Sequence, residues 1–127
     1  METYLAIWQS MCRAFYFGIE AENAVRNGKI KCFVYLSCGQ ESIAAAVAKS
    51  FAGIKVNIVS QHRNQSEYIA FGGDVSKLRD ELLGLPTGTT RGMGGDPCHA
   101  METATVKMIC HDGLVGSQIP IAVGHAF

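Results

Sequence analysis

The sequence predicts an α/β layer fold that is rich in helix and short of strands. Apolar residues recur at spacings of three and four along several stretches, which is the helical period. One β-branched run, KVNIVS (Lys55–Ser60), is bounded by Gly53 and a polar cluster, as strands are. Helix, loop and strand follow one another in the order that builds a sheet covered by helices. One confident strand makes no sheet, so the remaining strands are expected from a partner chain that completes it. Residues 1–127 are read as a single, partial domain, because no repeat, low-complexity tract or linker divides them.

The elements follow in order. Residues 2–27 read as one long helix: Leu5, Trp8, Cys12, Phe15 and Ile19 form an apolar stripe, widened by Tyr4, Met11 and Tyr16. A stripe that apolar on a short chain points to burial against something larger than the chain itself. Asn27-Gly28 supplies the left-handed exit. Lys29–Leu36 is a short extended piece. Ser37 and Gln40 have capping-box spacing, and the alanine-rich helix they open runs from Gln40 to Phe51. Residues 63–72 form a third helix, stopped by Gly72-Gly73. Asp74 caps a fourth, from Val75 to Leu83, with Gly84 as its exit. Thr87–Pro97 is a glycine-rich loop. Thr105–Cys110 is either a short strand or an extended loop. Gly113–Ser117 is a turn, and Pro120 falls in the first turn of a last helix, where a missing N–H costs nothing.

Composition narrows the function classes. Apolar residues make up 48% of the chain and charged residues 17%, a globular composition tilted towards burial. Eleven basic residues balance eleven acidic ones, so nothing points to nucleic acid. The apolar N-terminal stretch is interrupted by Glu2, Gln9, Arg13 and Glu20, so no membrane span is expected. No leader is recognised there, and the five cysteines read as reduced thiols in a cytoplasmic protein.

Three groups of residues are candidates for chemistry. Gln61-His62-Arg63-Asn64-Gln65 follows a strand and opens a helix, the place where open α/β sheets bind ligands. Arg63 brings a fixed charge with a planar fork suited to phosphate, and His62 can donate to the same anion. A surface arginine in a capping cluster is the plain alternative. The loop Thr87–Met101 has glycines that permit close backbone approach, but it lacks either ordered nucleotide-binding pattern. Cys98-His99 and Cys110-His111 invite a zinc reading, against which stands the missing gap of two to four residues within each pair. As Cys-His nucleophile pairs they lack an orienting partner.

Taken together these pieces resemble the N-terminal half of the alpha subunit of thiamine-diphosphate-dependent 2-oxoacid dehydrogenases, the family of the pyruvate, branched-chain and acetoin enzymes. The motifs fall in family order from Met11 to Phe127. Met11-Cys12-Arg13-Ala14-Phe15 matches M-x-x-R-x-F. Gly28-Lys29-Ile30-Lys31, followed by Gly39-Gln40-Glu41, matches G-K-I-R and G-Q-E. His62-Arg63 falls on Y-R, and Glu81–Gly84 on E-L-x-G. Gly92–His99 falls on the glycine-rich segment ending in His. Gly113–Pro120 matches G-I-V-G-x-Q-x-P almost letter for letter.

The resemblance implies a helix-rich part of a thiamine-diphosphate-binding domain. It assigns Arg63, and His62 in place of a tyrosine, to the cofactor's diphosphate. It assigns the backbone of Gly113 and Val115 to the aminopyrimidine ring, with Gln118 in support, and turns His99 towards the donor. The implied reaction is decarboxylation of a 2-oxo acid or related donor, or transfer of its acyl or ketol group. Tyr35 and Gln65 stand where the pyruvate-type pattern has histidines, and Asp96-Pro97 lengthens the glycine-rich segment. These departures fall on the substrate side. In the family a strand, a G-D-G segment and an asparagine that complete a magnesium site follow the helix begun at Gln118. The resemblance therefore implies a companion subunit carrying that motif, which supplies the Mg2+ ligands, and a beta-type subunit in a hetero-oligomer. A split gene and a piece of a longer chain both fit. A non-catalytic assembly or regulatory subunit, and a small zinc protein, are the rival readings.

Overall fold

A long helix heads the chain and packs against the helices that follow it. The computed structural model describes residues 1–96 and 100–127, and of residues 110–112 the backbone alone. Helix α1 (Glu2–Arg26) turns Ala14, Gly18 and Ala21 inward. These small residues let neighbours approach closely, and the alanines of α2 (Glu41–Ser50), Ala44 and Ala45, are buried in the same layer. The large apolar residues read as a stripe lie on the outer side: Trp8 is 60% exposed, and Leu5, Phe15 and Tyr16 are exposed too. Helix α1 is thus apolar on two sides, and only the small-residue side meets this chain's core.

Strand β1 (Val56–Gln61) leads through α3 (Gln65–Ala70), α4 (Val75–Leu82) and the glycine-rich loop to β2 (Val106–Asp112), and α5 (Gln118–Ala126) closes the chain. The two strands pair in parallel, with Val56 opposite Val106 and Gln61 opposite Asp112. Thr105–Cys110, undecided between strand and loop in the sequence, is therefore mostly strand, and it extends further than its pattern suggests. The register shifts between Ile58 and Val59, which face Met108 and Cys110, so Ile109 is an extra residue bulged out of β2.

Alternation along the strands sorts the two faces of this sheet. Val56, Ile58, Val106 and Met108 join the main core with Ala14, Tyr68, Ile69, Leu78 and Met101. Asn57 has the opposite orientation and meets α5, where its amide lies 2.9 Å from His125 Nε2. A second core, of Ala21, Ile30 and Leu82, lies under the Lys29–Leu36 segment; that segment runs extended but joins no sheet.

Helix α4 starts as its sequence demands: Asp74 Oδ1 accepts from the N–H of Ser76 and, at 3.4 Å, of Lys77. The capping-box reading of Ser37 is corrected. Ser37 does not cap α2; its hydroxyl lies 2.6 Å from Ser66 Oγ and accepts the Ser66 N–H at 3.0 Å. Glu41 instead accepts the Gly39 N–H. A residue with capping spacing was drawn to a buried partner outside its own helix.

Candidate functional site

The parallel pairing decides which segments meet. Gln61 and Asp112 are the last paired rungs, so the chain leaves both strands on the same edge of the sheet. His62-Arg63 and the Gly113–Ser117 turn, candidates at positions far apart in sequence, therefore emerge side by side, about 5 Å apart at the strands. The bulge at Ile109 sets that match. Without it, the turn after β2 would begin one rung further along.

Gln61 clamps the exit from β1. Its Oε1 accepts the Arg63 N–H at 2.9 Å, and its Nε2 donates to the Arg63 carbonyl at 2.8 Å. The backbone of Arg63 is pinned on both sides while the side chain stands in solvent. Among the described residues its guanidinium makes no ion pair. His62 is half-buried, its Nδ1 is shut off from solvent without a partner, and the Tyr35 ring stands edge-on to it at 5.2 Å and 86°.

Across the edge, Val115 is 91% exposed and Leu114 is exposed with it. A Cβ added at Gly113 would meet nothing within 4 Å. The turn holds its shape through Ser117, whose N–H and Oγ both donate to the Leu114 carbonyl, at 3.2 and 2.8 Å. Gln118 is buried where α5 begins. The backbone of Gly113 and Val115 is thus presented on a braced turn.

Behind this edge lies a buried polar network that the sequence did not reveal. Gln65 Oε1 accepts the Ser37 N–H at 3.0 Å, and Gln65 Nε2 donates to the Tyr35 carbonyl at 3.0 Å and to Asp96 Oδ1. Asp96 Oδ2 accepts the Tyr35 N–H at 2.6 Å. Gln65 and Asp96, two of the departures on the substrate side, are therefore bonded to each other. Burial pushes the Asp96 carboxyl up, and the Tyr35 N–H, Gln65 and the nearby His62 charge partly offset it.

Unpaired polar atoms concentrate at the same edge. Among the described residues, the buried side-chain atoms without a partner are His62 Nδ1, both amide atoms of Asn64, and Glu67 Oε2. They fall within six residues after β1. Native proteins pair the large majority of such atoms, so a concentration of exceptions calls for an explanation by bound water or ligand. Burial also pushes the Glu67 carboxyl up, against a lowering backbone hydrogen bond. Asn64 was named in sequence only as a member of the Gln61–Gln65 group, and nothing in the sequence singled out Glu67.

The glycine-rich loop is organised from below by Glu81, which has no exposed surface. Its carboxylate accepts from Thr90 N–H and Oγ1, each at 2.6 Å, from Gly92 N–H at 3.0 Å and from Gly94 N–H at 2.8 Å. Burial alone would raise this carboxyl, but these hydrogen bonds outweigh it and hold the group below its ordinary value. His99, expected to face the donor, lies outside the described residues, as does Cys98. So do the side chains of Cys110 and His111, and with them the zinc grouping. Among the described residues no three His, Cys, Asp or Glu side chains converge as metal ligands would. No helix among them is long and apolar enough to cross a membrane.

Parallel strands whose carboxyl ends present a pinned arginine opposite an exposed backbone turn define an α/β protein of the kind that binds ligands at that edge. No family model matches the chain. Among curated proteins it is 32% identical over 130 residues to the pyruvate dehydrogenase E1 component subunit alpha-2, mitochondrial, of Arabidopsis thaliana, covering 99% of this chain and 31% of that protein. It is 30% identical over 129 residues to the E1 subunit alpha of Rickettsia prowazekii, covering 99% and 38%, and 30% identical over 100 residues to that of Zymomonas mobilis, covering 79% and 28%. The chain is a homologue of pyruvate dehydrogenase E1 alpha subunits. It spans about a third of the length of these relatives.

Proposed function

We propose that this chain, a partial domain over residues 1–127, supplies one wall of a thiamine diphosphate site in an enzyme of the E1 type. The observation that carries the reading is the parallel register, which brings His62-Arg63 and Gly113–Ser117 to one edge. The residues there suit the group. Arg63 offers the diphosphate a planar cation that makes no ion pair among the described residues, with His62 beside it. Gly113 and Val115 offer backbone to the aminopyrimidine and Gln118 steadies the turn from within; a donor-side role for His99, which lies outside the described residues, stands on the family resemblance alone. Thiamine diphosphate, when bound, supplies the nucleophilic carbon that reacts with a 2-oxo acid or related donor. This chain binds, orients and excludes water from one side of it.

The metal-bearing wall carries the G-D-G motif and holds Mg2+, whether on a companion subunit or on further sequence of the same polypeptide, and a beta-type subunit completes the hetero-oligomer. What supports partners is the apolar surface left open: the outer side of α1, and Leu114, Val115 and Ile119 around the candidate edge. The metal-bearing wall also completes the sheet, since parallel sheets are normally larger and covered.

Calorimetric titration with thiamine diphosphate and Mg2+ tests this, on the chain alone and on the chain purified with its companion. Binding in the assembly is expected. An assembly that forms yet binds no cofactor instead identifies a non-catalytic assembly or regulatory subunit.

A further inference from the structure

Tyr35 is held by its main chain at both ends. Its N–H donates to Asp96 Oδ2 and its carbonyl accepts from Gln65 Nε2, which also donates to Asp96 Oδ1. The three residues close a ring of hydrogen bonds whose two polar side chains are out of water. Gln65 is itself fixed, because its Oε1 holds the Ser37 N–H. The half-exposed ring of Tyr35 emerges from this anchorage and stands edge-on to the His62 imidazole. Among the described residues the buried Nδ1 of His62 has no hydrogen bond of its own to set the ring's orientation.

The order of control follows from the strengths involved. A short bond from a main-chain N–H to a buried carboxylate outweighs an edge-to-face ring contact. The ring therefore follows the main chain, and the main chain follows Asp96. We propose that Asp96 is a positioning residue that, through Tyr35, sets the orientation of the His62 imidazole at the carboxyl edge. The consequence for anion binding rests on the cofactor reading above; the positioning itself does not. Asp96 and Gln65 are then one device: the two departures act together, and the amide of Gln65 is committed to holding it.

The test is the proton NMR signal of the His62 ring in the full chain, in its assembly where it purifies as one. Tyr35→Leu removes the ring current and marks the displaced position. Asp96→Ala is expected to move the His62 signals to that same position. Asp96→Asn keeps one oxygen for the Tyr35 N–H but gives up the bond from Gln65 Nε2 and the charge near His62, and is expected to move them less than Asp96→Ala does. Affinity for inorganic pyrophosphate falls about two- to tenfold in Asp96→Ala, the worth of one aligned hydrogen bond, and falls less in Asp96→Asn. Unmoved His62 signals in a folded Asp96→Ala protein overturn the proposal. Should that variant not fold, Tyr35→Leu decides: an equal loss of pyrophosphate affinity supports the positioning, and unchanged affinity overturns it. A parent protein that binds no pyrophosphate sinks the cofactor reading, while the His62 signals still decide the positioning.

Discussion

The glycine-rich loop and the exit from β1 are both built from backbone turns and buried polar side chains, and they differ in one respect. In the loop both oxygens of the Glu81 carboxylate are answered, by the donors of Thr90, Gly92 and Gly94. At the exit from β1, four buried polar atoms have no partner among the described residues. A saturated region needs nothing further and serves as structure. An unsaturated one has hydrogen-bonding capacity left for water or a ligand. The contrast separates scaffold from candidate site more clearly than the density of glycines or charges does.

Breaking the saturated side has the largest expected effect. Glu81→Ala leaves the Thr90, Gly92 and Gly94 N–H groups without their shared acceptor, and urea denaturation should show a loss of about 3 kcal/mol or more. Gly92→Ala comes next. Gly92 has φ +73°, and an added Cβ would lie 2.4 Å from the Gly84 carbonyl carbon. The same denaturation should show a loss of about 2 kcal/mol, a typical cost for backbone strain at such a position.

The two carboxylates give a finer contrast, because their pH dependences have opposite signs. Glu81 is held low by its donors, so its stabilisation is present above the unfolded carboxylate value, about 4.3, and is lost as pH falls through the lower folded value. Glu67 is pushed up by burial, so its contribution is full below about 4.3 and lost as pH rises through the higher folded value. Glu67→Gln cannot ionise. Its stability should stay flatter than the parent's from about pH 4.3 upward, measured as melting temperature against pH. A parent-like slope would show that Glu67 is not the group responsible. The smallest expected effect on stability is that of Arg63→Ala, within about 0.5 kcal/mol, because the side chain is exposed.

Local signals carried most of the elements. The period of α1, the cap at Asp74, the β-branched run of β1 and the last helix after the Gly113–Ser117 turn all depend on neighbours within a few positions. What sequence could not show was set by distant partners. Val106–Asp112 is strand because β1 lies beside it. Ser37 looks like a cap but binds Ser66, 29 positions away. Gln65 read as a change on the substrate side, and its amide turned out to be bonded to Ser37, Tyr35 and Asp96. Glu81 matched a motif without any hint that its carboxylate gathers a loop. Of the candidate site, the Gln61–Gln65 group, the Gly113–Ser117 turn and Asp96 were named from sequence, whereas Glu67, and what Asn64 and Asp96 do or do not bond to, required the fold.

The most direct measurement is thiamine diphosphate affinity of the reconstituted assembly, with Mg2+, in the parent and in Arg63→Ala. A lost charge-assisted contact predicts a fall of about tenfold to a hundredfold with the melting temperature of the cofactor-free assembly unchanged. Equal affinity in the two proteins would contradict the placement of the diphosphate at this edge.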